Sequence, residues 1–332
     1  MKRTVLYRAG GALGLLLVLA ITFFFYPKSS DGDAPILRVA VYEWGGYAPA
    51  VYAQETGLYM ANGLRVELFK ATSPAQMNEW FRDGKVDGIC GVVLTDLLIM
   101  RSHGEALQGV LLTDYSTDGD VILSRADQIS ISDLSGKRVS VDRMNSFSHV
   151  FIQRMLALNG LKESDVTLVE LPFDQVPDGL IRGEIDAGHT WSPAKEMGLK
   201  VNLKVLAKAE ESPGIVMEVV AFRESLLKAH PELIRTFTRV FFEAQKQVLE
   251  DPLAAATHMK AFYGNEPAVF AESFRSMHFF DLAANKEKFD GESENSVFVT
   301  AKMINDLLVS SGLVQTTDLY KTALRPEFVE SQ

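Results

Sequence analysis

LRVAV at Leu37–Val41, NGL at Asn62–Leu64 and RDGKVDGIC at Arg82–Cys90 return farther along the chain. The second set is KRVSV at Lys137–Val141, NGL at Asn159–Leu161 and IRGEIDAGH at Ile181–His189. The offset is about a hundred residues, and each copy reads strand, helix, strand, helix, strand. Arg38 and Asp87 stand 49 positions apart, Arg138 and Asp186 48. Two α/β lobes of one plan in one chain predict a cleft between them, and clefts of this kind bind small ligands.

The 332 residues suffice for two domains, and a hydrophobic content of 47% supplies two cores. A formal net charge of −10 with no Lys/Arg-rich stripe excludes general nucleic-acid binding. The single cysteine, Cys90, cannot form an intramolecular disulfide and excludes thiolate metal clusters. Its place in an apolar strand suits an inert thiol.

Lys2, Arg3 and Arg8 precede an apolar run from Ala9 to Tyr26, and a polar stretch follows. Positive charge before such a run places the N-terminus in the cytoplasm and the remainder outside it. Phe23–Tyr26 is bulky and no small-x-small cleavage site follows. The expectation is an uncleaved anchor at 9–26, with a cytoplasmic stretch at 1–8 and a tether at 27–35. The folded part then lies on the periplasmic side of an inner membrane, and a cleaved, soluble periplasmic form is the alternative.

Beyond the tether, the pattern predicts lobe one from 36–118 plus 219–332 and lobe two from 119–218. Strands are expected at Val86–Cys90, Ala106–Leu112, Asp118–Ser124 and Val216–Phe222, besides those of the repeat. Crossings near Thr117–Val121 and Met217–Ala221 would make a two-stranded hinge. Past Arg223 the spacing is helical, at Pro231–Leu249, Pro252–Phe262, Pro267–Met277 and Val297–Ser310. Each proline sits near a helix start, where its missing N–H costs nothing. This region is expected to cover lobe one.

Ligands in open α/β sheets bind beyond the C-terminal strand ends. The repeat therefore nominates Tyr42–Tyr47, Gly91–Asp96 and Thr113–Thr117 from lobe one, with Asp142–Ser148 and Thr190–Pro193 from lobe two. These loops hold the aromatics Trp44, Tyr47, Tyr115, Phe147 and Trp191 and the carboxylates Glu43, Asp96, Asp114 and Asp142. They add the short polar residues Ser116, Asn145, Ser146, Ser148 and Thr190. A ligand held between Trp44 and Trp191 is one reading, and two lobe-core anchors the other. Asn145–Ser148 precede a helix, where they either cap it or leave N–H groups for a ligand. Asp96 would cap the helix it opens. Carboxylates beside rings favour a cationic or zwitterionic ligand.

The six histidines show no HExxH spacing, and GxSxG, GxxxxGK[ST] and GxGxxG are missing. His189 reads first as a histidine satisfied within its lobe. No catalytic residue, metal or cofactor is expected.

From about Ile36 to Ser311 the chain resembles periplasmic solute-binding proteins of the nitrate/sulfonate/taurine type, a group that includes binders of thiamine-pyrimidine precursors. The stretches that carry the resemblance are VYEWGGYAP, AQETGLYMANGL, GKVDGICGVVLTD, DYSTDGDVILSR, LSGKRVSVDRMNSFSHVFIQRMLALNGL and GEIDAGHTWSP. It implies a two-lobed periplasmic-binding-protein type II fold, hinged by two crossing strands. It also implies delivery of a small polar solute, nitrogen-containing or sulfonate-like, to an ABC permease of the inner membrane. In such proteins the loops corresponding to Trp44, Gly91–Val92, Tyr115, Asn145–Ser148 and Thr190–Trp191 face the ligand. With Glu43, Tyr47 and Asp114 these complete the expected ligand-binding set. A monomer is expected. The alternatives are a tethered ligand sensor that signals to a partner and an enzyme of the pyrimidine-synthase branch, which would need a cysteine and histidine metal set.

Overall fold

The computed structural model describes residues 35–125 and 130–332. The expected anchor at 9–26 and its flanking segments therefore lie outside the described residues. Among the described residues no helix is long and apolar enough to cross a membrane.

The strands of the first copy are β1 (Leu37–Val41), β2 (Val66–Lys70), β3 (Gly88–Val93) and β4 (Leu107–Ser116). The second copy brings β5 (Val121–Ser124), β6 (Arg138–Val141), β7 (Thr167–Glu170), β8 (Ala187–Thr190) and β9 (Lys204–Lys208). The chain then returns with β10 (Met217–Arg223) and β11 (Met277–Phe279). One sheet has the order β11-β4-β10-β3-β1-β2 and the other β7-β6-β8-β5-β9. Read from the parallel edge, both run in the same plan. β1 lies parallel between β2 and β3, and β6 lies parallel between β7 and β8. The fourth strand is antiparallel in each, and it arrives from the other lobe: β10 against β3 and β4, β5 against β8 and β9.

The duplication reaches individual hydrogen bonds. Asp87 Oδ2 accepts from the backbone N–H of Arg38 at 3.0 Å, and Asp186 Oδ2 accepts from that of Arg138 at 2.9 Å. Each carboxylate also takes the guanidinium of the same arginine. At both NGL sites the asparagine side chain donates to the carbonyl four residues back, Leu58 or Met155, at 2.9 Å. The glycine that follows is left-handed, φ 71° at Gly63 and 78° at Gly160. These local bonds end a helix and aim the next strand in both copies.

Two segments join the lobes, 117–120 and 209–216. Ser116 N–H donates to Val216 O at 3.0 Å, Ala209 N–H to Asp120 O at 3.0 Å and Glu210 N–H to Thr117 O at 2.8 Å. The first crossing falls where the sequence placed it, although the strand begins only at Val121. The second lies upstream of the expected Met217–Ala221, because that apolar stretch is consumed as the buried β10.

The C-terminal helices pack on lobe one. Pro231–Glu250 turns Ile234, Phe237, Val240, Phe241, Ala244 and Val248 inward at helical spacing. Phe237 stacks on Tyr59 with ring centroids 5.5 Å apart. Each fully buried side chain of this size contributes about 1.5–3 kcal/mol. The expected helix Pro267–Met277 stops at Ser273, since Met277–Phe279 adds a short edge strand to β4.

Candidate functional site

β3 runs on to Val93, and β4 to Ser116, past the strand ends expected from the sequence. The supposed loop at 113–117 is thus largely strand and that at 91–96 divides between β3 and the helix Leu94–Ser102, and side-chain alternation sorts the strand residues. Asp114 points inward and is fully buried. Tyr115 points the other way and packs on His278 and Phe280, centroids 5.0 and 5.6 Å away. Val92 is buried opposite Val219 within the sheet. Gly91 has φ 90°, and a Cβ there would lie 1.8 Å from Tyr47 Cε1, so the glycine is what lets the Tyr47 ring lie against β3.

Between the lobes is a narrow cavity of about 20 Å³, room for one water. Lobe one contributes Tyr42, Trp44, Tyr47, Pro74, Val93 and Glu218 to its wall. The first crossing adds Asp120, and lobe two adds Phe147 and Trp191. Both nominated tryptophans therefore face one space from opposite lobes, and both are also anchored. Trp44 Nε1 donates to Asp114 Oδ1 at 2.9 Å. Trp191 stacks on Phe173, 4.1 Å between centroids and 10° between planes, and its Nε1 makes a long 3.4 Å contact with Tyr42 Oη. A wider groove of about 660 Å³ borders the other side of Trp44 and holds Glu43, which bonds to Asn265.

The lobe-two residues mostly hold the site together. Ser148 Oγ accepts from Asp142 N–H at 2.9 Å and lies 2.8 Å from His189 Nδ1. His189 Nε2 is 3.1 Å from Asp120 Oδ1, so this histidine is satisfied inside the molecule. Thr190 Oγ1 donates to Phe173 O at 2.7 Å. Asn145, with φ 58°, donates its N–H to His149 Nδ1, and Ser146 Oγ donates to Arg143 O.

Ser146 is the N-cap residue of the helix Phe147–Leu158, yet its side chain does not cap it. The cap comes from the other lobe. Asp96 Oδ1 accepts from Phe147 N–H at 2.7 Å, and its Oδ2 takes Asn78 Nδ2 at 3.2 Å. The expectation that Asp96 caps its own helix is corrected accordingly: it sits in the first turn of Leu94–Ser102 but bridges the cleft.

The site is acidic and buried. Burial pushes the Asp96 carboxyl up to about 6 against the pull of its hydrogen bonds, and Asp114 to about 7 although Trp44 and Thr113 donate to it. Glu218 stands opposite Asp114 in the β10–β4 ladder. Burial, then the nearby Asp114, raises it well above the ordinary carboxylate range, while the Tyr47 hydroxyl bonded to it works against that. Its Oε2 has no hydrogen-bond partner among the described residues. Glu218 and Asp120 lie outside the loops nominated from sequence, and Tyr42 lies in one of them without having been singled out. The available signal was Glu218 as the lone charge within the expected apolar strand Val216–Phe222, a placement seldom tolerated without a reason.

Asp120, His189 and Ser148 lie in the order of an acid, a base and a nucleophile. Ser148, however, is fully buried, is spent on the Asp142 amide and does not line the cavity. Burial also drives the Cys90 thiol far above its usual range. Among the described residues no group of three or more His, Cys, Asp and Glu could hold a metal ion.

Two sheets of one plan, paired crossings and a cleft walled by both lobes define an α/β fold of the periplasmic-binding-protein kind. The chain belongs to the family described as NMT1/THI5 like, whose model matches residues 44–255. It is 24% identical over 226 residues to the taurine-binding periplasmic protein of Escherichia coli (strain K12), covering 66% of this chain and 69% of that one. It is also 24% identical over 239 residues to the 4-amino-5-hydroxymethyl-2-methylpyrimidine phosphate synthase of Schizosaccharomyces pombe, covering 66% and 68%. Among solved structures, the alkanesulfonate-binding protein SsuA from Xanthomonas axonopodis pv. citri shares the fold at a TM-score of 0.72 and 19% identity, over 88% of this chain and 98% of that one. The periplasmic nitrate-binding protein NrtA from Synechocystis PCC 6803 does so at 0.73 and 12%, over 90% and 88%.

Proposed function

We propose that this protein is an extracytoplasmic substrate-binding protein of an ABC uptake system that captures a small polar solute by closure of its lobes. The observation that carries the reading is the cavity walled by Trp44 and Glu218 from one lobe and Phe147 and Trp191 from the other, beside two hydrogen-bonded crossings. A ligand that touches both lobes binds the closed form better than the open one, and that difference alone shifts the population. The closed form is then the shape for an ABC permease to read. Relatives named for taurine, alkanesulfonate and nitrate support the reading.

Several relatives bear the name of a pyrimidine phosphate synthase. Binding without chemistry is favoured here because the series Asp120, His189 and Ser148 ends in a serine sealed from the cavity. The proposal divides the lobes at the two crossings, so that the expected boundary at 218/219 moves upstream of β10 and Glu218 belongs with lobe one, in a monomer tethered through 9–26. Of the residues nominated from sequence, Trp44, Tyr47 and Trp191 are assigned ligand contact. Gly91, Asp114, Ser148 and Thr190 are assigned the positioning of those groups.

A thermal-shift screen of amines, amino-acid relatives, sulfonates and vitamin precursors, followed by tryptophan fluorescence titration, tests the function. Trp191→Ala should abolish the binding found and leave the circular dichroism spectrum unchanged. A protein that no solute class stabilises would refute the receptor reading.

A further inference from the structure

We propose that the interlobe cavity, widened from its present single-water volume as the lobes part to admit a ligand, selects a small protonated amine, whose N–H donates to Glu218 and whose charge is shared by Asp120 among aromatic side chains. This rests on the binding-protein reading above and names the ligand class for that site. Glu218 is 5% exposed, lines the cavity and keeps Oε2 without a hydrogen-bond partner among the described residues. A buried carboxyl oxygen in that state is costly, and a ligand donor removes the cost. Asp120, 3% exposed, lines the same wall. Trp44, Tyr47, Phe147 and Trp191 line the cavity with aromatic rings, the side chains whose π systems attract a cation.

The usual means of holding an anion are committed elsewhere. None of the residues lining the cavity is Lys or Arg. Lys195 is drawn away to Asp118, with Nζ 2.5 Å from its carbonyl oxygen and 3.5 Å from its carboxylate. Arg143 is exposed, and its charge acts on Asp96 and Asp142 outside the cavity wall. The N-terminus of the helix Phe147–Leu158 would be the natural anion seat, but Asp96 already accepts from its first N–H at 2.7 Å. A sulfonate or nitrate entering here would meet two acidic side chains, Glu218 and Asp120, and no cationic side chain on the cavity wall.

The test pairs molecules of similar size and opposite charge. Ethanolamine and putrescine are compared with isethionate, ethanesulfonate and nitrate, using melting temperature and saturable tryptophan fluorescence of the full chain. At least one amine should shift both signals and no anion should. Glu218→Gln should weaken the amine about tenfold or more, and Asp120→Asn should weaken it in the same direction, with circular dichroism unchanged in both. If an anion binds and the amines do not, the cation assignment is overturned while the receptor reading survives. Amine affinity that survives both substitutions also overturns it. If neither charge class binds, the amine assignment falls, and the receptor reading is then decided by the wider solute screen.

Discussion

Asp96 is one of the polar links between the lobes, and two opposing effects act on it. As an ionised acceptor at the start of the helix Phe147–Leu158 it gains a charge-assisted bond worth about 1.5–3 kcal/mol, with about 0.3–1 kcal/mol more from the helix dipole. Burial in the closed cleft opposes ionisation. The carboxyl stands at about 6 rather than 3.8 with those favourable bonds already included, so burial wins by about 2 units. That is about 3 kcal/mol against the ionised closed form. A group raised on folding contributes stability that is full below its unfolded value, near 3.8, and is lost as pH rises through about 6. At pH 8 the loss is complete. Asp96→Asn keeps an oxygen for the Phe147 N–H, and Asn78 can turn its amide to accept from the new one. The variant should therefore be more stable than the parent at pH 8 by about 1–3 kcal/mol, with the gain roughly halved at pH 5. Urea unfolding of the ligand-free protein at the two pH values measures it. An Asn variant less stable than the parent at pH 8 would show that charge at the helix start outweighs desolvation, and the reasoning would be wrong.

Asp114, held near 7 by burial, and Glu218 act with the same sign as Asp96. The melting temperature of the ligand-free protein should accordingly fall between pH 5 and pH 8, and scanning calorimetry that found it rising would contradict the site's electrostatics. Asp87→Ala and Asp186→Ala each remove a half-exposed ion pair and the acceptor of an arginine N–H. Each should cost about 1–2 kcal/mol, mostly from the backbone bond, and the two costs should agree within about 0.5 kcal/mol; a large disparity in urea unfolding would deny that the copies are equivalent. Gly91→Ala places a methyl 1.8 Å from the Tyr47 ring in a left-handed backbone. Displacing that ring should weaken ligand binding by about tenfold or more at a stability cost of about 1–3 kcal/mol, and unaltered affinity by fluorescence titration would remove Tyr47 from the site.

Much of the fold was legible because the duplication is carried by local bonds. Arg–Asp pairs at nearly equal spacing, 49 and 48 positions, and two NGL turns leave their mark in short stretches of sequence. The helices opened by Pro231 and Pro252 and the helix Val297–Ser310 fell close to their expected bounds for the same reason. β9 escaped because lysines stand at both its ends, and β11 because a three-residue edge strand is defined by its partner β4. In the site, the two tryptophans were legible from their positions just past the C-terminal ends of β1 and β8, one in each copy. Tyr115 was misplaced by ending β4 too early, which hid the alternation that sends Asp114 inward and its neighbour outward. The bridge from Asp96 to Phe147 joins residues 51 positions apart, and the isolation of Glu218 Oε2 depends on what three strands do not supply. Such features exist only once the lobes are assembled.

The central claim is closure around a ligand. Met197 and Val269 line the wide groove, are 58% and 66% exposed, and belong to opposite lobes, so spin labels at Met197→Cys and Val269→Cys report the gap directly. Cys90 is buried with its thiol driven far up, and it should stay unlabelled. Electron–electron resonance distances recorded with and without the ligand found in the screen should collapse to a single shorter value at saturation. An interlobe distance that does not change at full occupancy would contradict the account.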